Sequence, residues 1–227
     1  IDIKIDDSKL ANAPVSKQFP ITMYYRLFAH LYLPKNVNKV LYLDPDVIID
    51  KNIMELYSIN MNHFCYAGAT HVKGIVKLFN DIRLGLSKKD PYINSGVLMI
   101  NLNEIRKVKI KEKDIYEYIR LNKHKFCLPD QDVLSKVYAG RIKLIDTKIY
   151  NASEKMVRLP DEITEEDLVK YTVKQFSTSE SFSKLILRLS SFSSLKPGTR
   201  LLLLFINLLP FSTHYTVYIS IHDISIF

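Results

Sequence analysis

Hydrophobic positions in residues 1–173 follow two spacings that alternate along the chain. Short apolar or alternating runs predict β-strands at 1–5, 39–43, 95–102 and 141–145. Apolar residues that recur every three or four positions predict helices at 21–33, 72–84, 111–121 and from about residue 130 to just before Gly140. Asp130 is expected to cap the last of these helices. Strands that alternate with helices predict an α/β fold, and the continuous apolar run at 39–43 is typical of a strand covered on both faces.

The last 54 residues differ in composition from the rest. From Lys174 onward there are 7 charged residues and 11 serines, against 49 charged residues and 7 serines in residues 1–173. The apolar run at 201–206 is much shorter than the ~20 residues that a membrane-spanning helix needs. We therefore divide the chain into a domain at 1–173 and an atypical Ser/Leu-rich tail at 174–227. Contact with a membrane is one interpretation of this tail, and a frameshift product or poorly ordered segment is the favoured one.

The net charge of +8 leaves three kinds of partner open: nucleic acid, an anionic membrane surface and a phosphate-bearing ligand. The lysines are scattered and form no dense basic stripe with interleaved aromatic residues, so no nucleic-acid partner is expected. Cys65 and Cys127 lie far apart in sequence without metal-binding neighbours, which favours small buried side chains in a reducing compartment. The expected location is cytoplasmic, with peripheral contact to the inner face of the membrane left open.

Asp44-Pro45-Asp46 follows the apolar run at 39–43 directly. Alternate residues of an extended segment point the same way, and Pro45 stiffens the segment, so the two carboxylates are predicted to converge. Hard oxygen ligands at the carboxyl end of a strand suit Mn²⁺ or Mg²⁺. An Asp-x-Asp triplet occurs about once by chance in a chain of this length. On the triplet alone, a strand-terminating turn is the favoured alternative.

Four motifs that occur in one order along the chain favour the metal-binding interpretation over the turn. They are Tyr24-Tyr25-Arg26-Leu27, the run from Val40 to Asp46, the run from Asn94 to Asn101, and Leu128-Pro129-Asp130-Gln131-Asp132. Together they resemble glycosyltransferase family 8, which contains lipopolysaccharide glycosyltransferases and the glycogenins. The resemblance covers about residues 7–173. It implies a GT-A fold, N-terminally incomplete, with a mixed, mostly parallel sheet flanked by helices.

The resemblance also implies an activity. Members are retaining transferases that take a hexose from UDP-glucose or UDP-galactose with the help of Mn²⁺ or Mg²⁺. The acceptor would be a glycan, a lipid-linked glycan or a protein. A nucleotidyl or phosphoryl transferase could use the same aspartates, but six glycines without a cluster give no phosphate-binding loop.

Matching positions carry the family's roles onto this chain. Asp44 and Asp46 would bind the metal, with Asp44 also near the donor ribose, and Arg26 would reach the donor. Asn94 and Ser95 would lie against the donor sugar. The alternatives are a structural or surface Arg26 and an Asn94 that caps a strand. His71 stands where some relatives have an acidic residue and is not assigned a role.

Asp130 and Gln131 match the family's catalytic Asp-Gln pair. Asp130 would hydrogen-bond sugar hydroxyls, and Gln131 would lie near the anomeric carbon. A neutral amide is a poor nucleophile, so Gln131 is not assigned a covalent role. For Asp132 we favour a carboxylate in the first turn of a helix that binds free backbone amides.

Two family elements are not matched in the sequence. An opening strand and helix would precede Ile1, and the late His-x-x-Gly-x-x-Lys-Pro-Trp motif is replaced by Lys174-Gln175-Phe176-Ser177, with no Trp in the chain. We therefore expect weak or no activity from the 227 residues. The alternative function is a catalytically inactive remnant, or a pseudo-enzyme that binds carbohydrate through Asn94 and Asp130.

Overall fold

A computed structural model describes residues 6–49, 52–153, 173–175, 200–207 and 216–223. The described strands are β1 Lys39–Leu43, β2 Val47–Ile49, β3 Tyr66–Gly68, β4 Val97–Asn101, β5 Ile142–Leu144, β6 Ala152–Ser153, β7 Val173–Gln175, β8 Arg200–Asn207 and β9 Thr216–Asp223. The described α-helices are α1 Ala29–Tyr32, α2 Met54–Tyr57, α3 Gly74–Leu84, α4 Leu102–Lys107, α5 Glu112–Asn122, α6 Pro129–Val137 and α7 Thr147–Tyr150. Short 3₁₀ helices are found at Ser8–Leu10, Ile21–Phe28 and Lys123–Lys125. The strand predicted at 1–5 lies outside the described residues.

The larger sheet has the strand order β5-β3-β4-β1-β8-β9. β3 pairs with β5 and β1 pairs with β8 in parallel, whereas β4 is antiparallel to both β1 and β3, and β9 is antiparallel to β8. Four of the six strands therefore run in one direction. The α/β class and the mixed, mostly parallel sheet predicted from the sequence are confirmed. A smaller sheet joins β2, β7 and β6.

The centre of the larger sheet is covered on both faces, as the apolar run at 39–43 predicts. Val40 and Tyr42 of β1 pack into one core with Tyr66 and the helices α5 and α6. Leu41 and Leu43 point to the other side and pack into a second core. Because alternate residues of a strand face opposite ways, a strand with two cores has to be apolar throughout.

The helix predicted at 21–33 is a 3₁₀ helix at Ile21–Phe28 followed by α1. Seven consecutive residues from Thr22 to Phe28 are buried, so packing on all sides determines the conformation of this segment. An eight-residue 3₁₀ helix is unusual, because 3₁₀ hydrogen bonds have poorer geometry than those of an α-helix. The segment places Arg26 inside the protein.

Helix α6 begins at Pro129, and the prediction that Asp130 caps it is wrong. Its N-cap residue is Leu128, which makes no side-chain cap. The Asp130 carboxylate instead accepts a hydrogen bond from the Ser95 hydroxyl. Asp132 holds the start of the helix by accepting the backbone N–H groups of Cys127 and Leu128. The backbone-binding role that we favoured for Asp132 is confirmed.

The two cysteines lie in different environments. Cys65 is buried as expected, but Cys127 is exposed, so the prediction of two buried cysteines is wrong for the second. Cys127 lies in the connection before α6, where its backbone N–H donates a hydrogen bond to Asp132. In the part of the chain that the structure describes, no helix has the length and apolar character to cross a bilayer.

Candidate active site

The end of β1 and the start of β4 meet at one edge of the sheet. β4 is antiparallel to β1, with Leu43 opposite Val97. The backbone N–H of Asp44 donates to the Gly96 carbonyl oxygen at 2.8 Å. The segment from Asn94 to Gly96 therefore lies beside Asp44, although about fifty residues separate them in sequence.

Arg26, which belongs to the first of the four motifs, contacts the other three at this edge. Its guanidinium lies 3.0 Å from Asp44 Oδ1 and 3.5 Å from Asp130 Oδ2, and it donates to the Ser95 carbonyl oxygen at 2.7 Å. Only 6% of Arg26 is exposed. Burial opposes the charge, but the carboxylates of Asp44 and Asp130 outweigh it and raise the pKa of Arg26 above its ordinary value. Arg26 is thus a buried ion-pair centre and is not a surface arginine.

Asp130 is the second carboxylate of this cluster. It accepts a hydrogen bond from Ser95 Oγ at 2.5 Å and is 5% exposed. Burial raises the pKa of Asp130, while Arg26 and the Ser95 hydroxyl oppose that rise. One guanidinium therefore serves two carboxylates, and the cluster of Arg26, Asp44 and Asp130 carries a net negative charge when both acids are ionised.

Tyr42 completes the cluster, and it was not predicted from the sequence. Its hydroxyl donates to Asp44 Oδ1 at 2.5 Å, and the Arg26 guanidinium lies 4.3 Å from the centre of its ring. The strand period offered a signal, because Tyr42 and Asp44 are two residues apart and share a face. Arg26 and Tyr42 therefore contact the same oxygen of the Asp44 carboxylate, Oδ1.

Asn94 is oriented by a second residue that the sequence did not reveal, Asn151. Asn94 Oδ1 accepts the Gly96 N–H at 2.9 Å and the Asn151 amide at 2.8 Å. The oxygen of Asn94 is therefore bound twice, whereas its NH₂ group has no partner within the described residues. The Asn151 carbonyl oxygen lies 2.8 Å from His71 Nε2, so His71 supports the network from outside. Asn94 and Asn151 are 57 residues apart, and no sequence spacing predicts this contact.

The local geometry assumed for Asp44 and Asp46 is wrong. The Val47 N–H donates to the Asp44 carbonyl oxygen at 3.2 Å, so residues 44–47 form a β-turn rather than an extended segment. Both aspartates are half-buried. The turn connects β1 to β2. Asp46 lies close to Asp44 because both belong to this turn, and not because they share one side of an extended segment.

The carboxylate oxygens at this edge suit a hard divalent cation. Asp44 and Asp46 supply carboxylate oxygens, which Mn²⁺ and Mg²⁺ prefer. Across the described residues, no three or more His, Cys, Asp or Glu side chains form a metal-binding group. A cation here would need further oxygen ligands, and water and a diphosphate supply such oxygens when Mg²⁺ binds in other proteins.

Gln131 and Asp132 follow Asp130 on α6 and lie in different surroundings. Gln131 is half-buried beside Asp130. Asp132 is fully buried and points the other way, towards Arg83 and the Tyr92 hydroxyl, each at 2.8 Å. Only the first of the two acidic residues of this motif therefore belongs to the cluster around Arg26.

The model of the family described as glycosyl transferase family 8 matches residues 1–174. The chain belongs to this family. A lipopolysaccharide 1,2-glucosyltransferase of Escherichia coli is 30% identical over 149 residues, which are 65% of this chain and 43% of that protein. A probable galacturonosyltransferase-like protein of Arabidopsis thaliana is 24% identical over 158 residues, 62% of this chain and 44% of that protein. The chain spans less than half the length of these curated relatives.

Solved structures show the same fold. The galactosyltransferase LgtC, in complex with donor and acceptor sugar analogues, superposes with a TM-score of 0.65 at 21% identity. The match covers 86% of this chain and 76% of LgtC. The bifunctional glycosyltransferase WbbM superposes with a TM-score of 0.54 at 17% identity, over 74% of this chain and 35% of WbbM. The family and GT-A fold implied by the four motifs are confirmed.

Proposed function

We propose that this member of glycosyltransferase family 8 is a metal-dependent, retaining transferase that moves a hexose from a UDP-sugar to an acceptor. The observation that carries the proposal is the convergence of separate motifs on Arg26, which contacts Asp44, Ser95 and Asp130. A purely structural role needs no such junction of a strand end, a loop and a helix start. A buried charge cluster at the end of a β-strand of an α/β sheet is where such folds bind ligands.

Asp44 and Asp46 are assigned to the metal, Mn²⁺ or Mg²⁺. A divalent ion supplies charge stabilisation to the leaving diphosphate. Asp44 Oδ2 is the oxygen that we assign to the ion, because Oδ1 is engaged by Arg26 and Tyr42. The net negative charge of the cluster attracts a cation, and Arg26 keeps the Asp44 carboxylate in one position.

Asn94, Ser95, Asp130 and Gln131 are assigned to the donor sugar. With its carbonyl oxygen satisfied by Gly96 and Asn151, Asn94 would donate its NH₂ group to a sugar hydroxyl. Asp130 would accept hydrogen bonds from sugar hydroxyls, and Gln131 would lie by the anomeric carbon. In the reaction, the bond from the anomeric carbon to the phosphate oxygen breaks and its electrons leave with UDP. The acceptor hydroxyl oxygen forms the new bond, and its proton passes to the departing phosphate or to water.

The acceptor that we propose is a glycan, a lipid-linked glycan or a protein, with lipopolysaccharide-type glycans as the first choice. The bacterial relative at 30% identity is a lipopolysaccharide glucosyltransferase. UDP-glucose and UDP-galactose are the donors to test first. We place the protein in the cytoplasm, with peripheral contact to the inner face of the membrane.

We also propose that residues 174–227 form an atypical segment that supplies no residue to the catalytic site. The family match ends at residue 174, where the charged residues become sparse. Residues 200–207 form β8, whose backbone pairs in parallel with β1. Removing residues 208–227 should leave Mn²⁺ binding unchanged, since the assigned ligands are Asp44 and Asp46. Loss of Mn²⁺ binding on this truncation, with a native circular dichroism spectrum, would show that the segment contributes to the site.

UDP release from UDP-glucose and UDP-galactose tests the activity. We expect slow release that requires Mn²⁺, is stopped by EDTA, and falls at least about tenfold in Asp44→Asn. Circular dichroism of the variant should match the wild type, which separates a lost ligand from a lost fold. Release that is insensitive to both EDTA and Asp44→Asn would overturn the metal assignment.

The inactive alternative gives a different result in the same experiments. A pseudo-enzyme would bind a hexose, with loss of binding in Asn94→Ala or Asp130→Ala, and would release no UDP under any condition. Saturation-transfer NMR with glucose and galactose detects such binding without requiring turnover.

A further inference from the structure

Helix α3 is oriented with its apolar face towards solvent. Five large apolar side chains on its eleven residues are at least half exposed: Ile75 81%, Val76 51%, Leu78 50%, Phe79 57% and Ile82 74%. On the same helix the polar residues Asn80 and Asp81 are buried. A helix that only covers a core has the opposite arrangement. A contiguous exposed apolar patch of this kind marks an interaction surface.

Polar contacts on the inner side hold the helix in this orientation. Lys77 Nζ contacts both oxygens of Asp81 at 2.8 and 2.7 Å. Arg83 donates to Asn80 Oδ1 and pairs with Asp132 of α6, each at 2.8 Å. The first two of these contacts lie within α3, whereas rotating α3 to bury its apolar face would break the pair with Asp132 and leave that fully buried carboxylate without its cation. The outward apolar face is therefore specified by the sequence.

Basic residues lie at both ends of this helix. Lys73 precedes the helix, and Lys88 and Lys89 follow it, all three exposed. Lys125 lies at the same end, because its carbonyl oxygen accepts a hydrogen bond from Arg83. Lys136 reaches there as well, through a hydrogen bond from its Nζ to the Gly85 carbonyl oxygen. The acidic residue of α3, Asp81, is buried and paired with Lys77.

We propose that the outward face of α3, with its flanking lysines, docks on an anionic membrane surface. An apolar helical face bordered by positive charge matches the boundary between acyl chains and anionic headgroups. A second copy of this chain is a poorer occupant, because the same lysines would face each other in a symmetric contact of two +8 chains.

The inner side of α3 packs against the start of α6, the helix that carries Asp130 and Gln131. Arg83 of α3 pairs with Asp132, and Asp130 and Gln131 precede Asp132 on α6. Docking through α3 would hold the sugar-binding end of α6 close to the bilayer, where a lipid-linked acceptor has its headgroup. The inference deepens the proposed peripheral membrane contact by naming its surface, and vesicle binding is measurable whether or not the protein transfers sugar.

Co-sedimentation with phosphatidylcholine vesicles, with and without phosphatidylglycerol, tests the surface. The wild-type protein should bind only the anionic vesicles, and less strongly at high salt. The triple variant Ile75→Ser, Phe79→Ser, Ile82→Ser should lower the partition coefficient at least about tenfold. A matched control, Val15→Ser, Leu121→Ser, Leu144→Ser, alters side chains that are 54, 54 and 51% exposed elsewhere and should bind as the wild type does.

A second measurement distinguishes a membrane from a second copy of this chain as the occupant of the face. Light scattering after gel filtration should give a monomer for the wild-type protein and both triple variants. A wild-type dimer that the α3 variant abolishes would assign the face to a second copy and overturn the proposal. Equal vesicle binding by the two triple variants, each with a native circular dichroism spectrum, would overturn it too. Failure of UDP release in either variant has no bearing on this result.

Discussion

Two buried carboxylates on helix α6, two residues apart, have different partners. Asp132 is fully buried and accepts hydrogen bonds from both terminal nitrogens of Arg83, the Tyr92 hydroxyl and two backbone N–H groups. Asp130 has the Ser95 hydroxyl and a longer contact with Arg26, which also serves Asp44. One acid is satisfied by the protein, and the other shares its cation.

The difference distinguishes a carboxylate that stabilises the fold from one that can bind a ligand. The pair of Arg83 and Asp132 is neutral, and hydrogen bonding to Asp132 raises the pKa of Arg83. The cluster around Arg26 has one cation for two acids, and burial raises the pKa of Asp130. A buried cluster with uncompensated charge is typical of functional sites, and we propose that a ligand completes this one.

The largest expected effect is on stability, at the satisfied carboxylate. Asp132→Ala leaves the Arg83 guanidinium without its partner inside the protein and frees two backbone N–H groups before α6. We expect a loss of about 3–5 kcal/mol in the free energy of unfolding, measured by urea denaturation. A loss below about 1 kcal/mol would show that the Arg83 pair contributes little to the fold.

Asp130→Asn should lower activity strongly and stability only slightly. The amide removes a buried charge, and Arg26 retains Asp44, so the unfolding free energy should change by no more than about 1–2 kcal/mol. Mn²⁺-dependent UDP release should fall by about 10²-fold because the hydroxyl-binding carboxylate is lost. Wild-type release by a folded Asp130→Asn protein would remove Asp130 from the site.

Asn151→Ala should act on the sugar through Asn94. Without the hydrogen bond from Asn151 to Asn94 Oδ1, the Asn94 amide can flip. We expect the free energy of unfolding to fall by about 1–2 kcal/mol. We expect the KM for the UDP-sugar to rise several-fold, whereas Mn²⁺ affinity, which depends on Asp44 and Asp46, should stay unchanged. A fall in Mn²⁺ affinity together with sugar affinity would indicate a general loss of structure.

The smallest effects come from a matched tyrosine pair. Tyr42 donates to Asp44 and Tyr92 donates to Asp132, and both side chains are buried. Tyr42→Phe and Tyr92→Phe should each cost about 1 kcal/mol in unfolding free energy. Calorimetry should show weaker Mn²⁺ binding in Tyr42→Phe alone. Equal metal affinity in the two variants would mean that the Asp44 contact does not tune the site.

Much of the fold was predictable because it follows from local periodicity. The strand at 39–43 matches β1, and the helices predicted at 72–84 and 111–121 match α3 and α5 within two residues. The strand predicted at 141–145 contains β5. Packing decided the exceptions: burial on every side gives the 3₁₀ helix at Ile21–Phe28, and the turn after β1 replaces an extended Asp44-Pro45-Asp46.

The contacts of the site were less predictable than its residues. Motif order pointed to Arg26, Asp44 and Asp130, but periodicity carries no information about a contact between residues 26 and 130. Helix α3 gives a second example: spacing identifies its apolar stripe without indicating which side faces the core. The pair of Arg83 with Asp132 on α6 decides that.

Titration calorimetry of Mn²⁺ in the presence of UDP tests the central claim most directly, namely that the aspartates flanking Pro45 bind the metal. The protein should bind Mn²⁺ at one site, and Asp44→Asn and Asp46→Asn should each weaken binding at least about tenfold. Asp81→Asn, which changes a buried carboxylate on α3, is the control and should bind as the wild type does. Unchanged Mn²⁺ affinity in both Asp44→Asn and Asp46→Asn would contradict the claim.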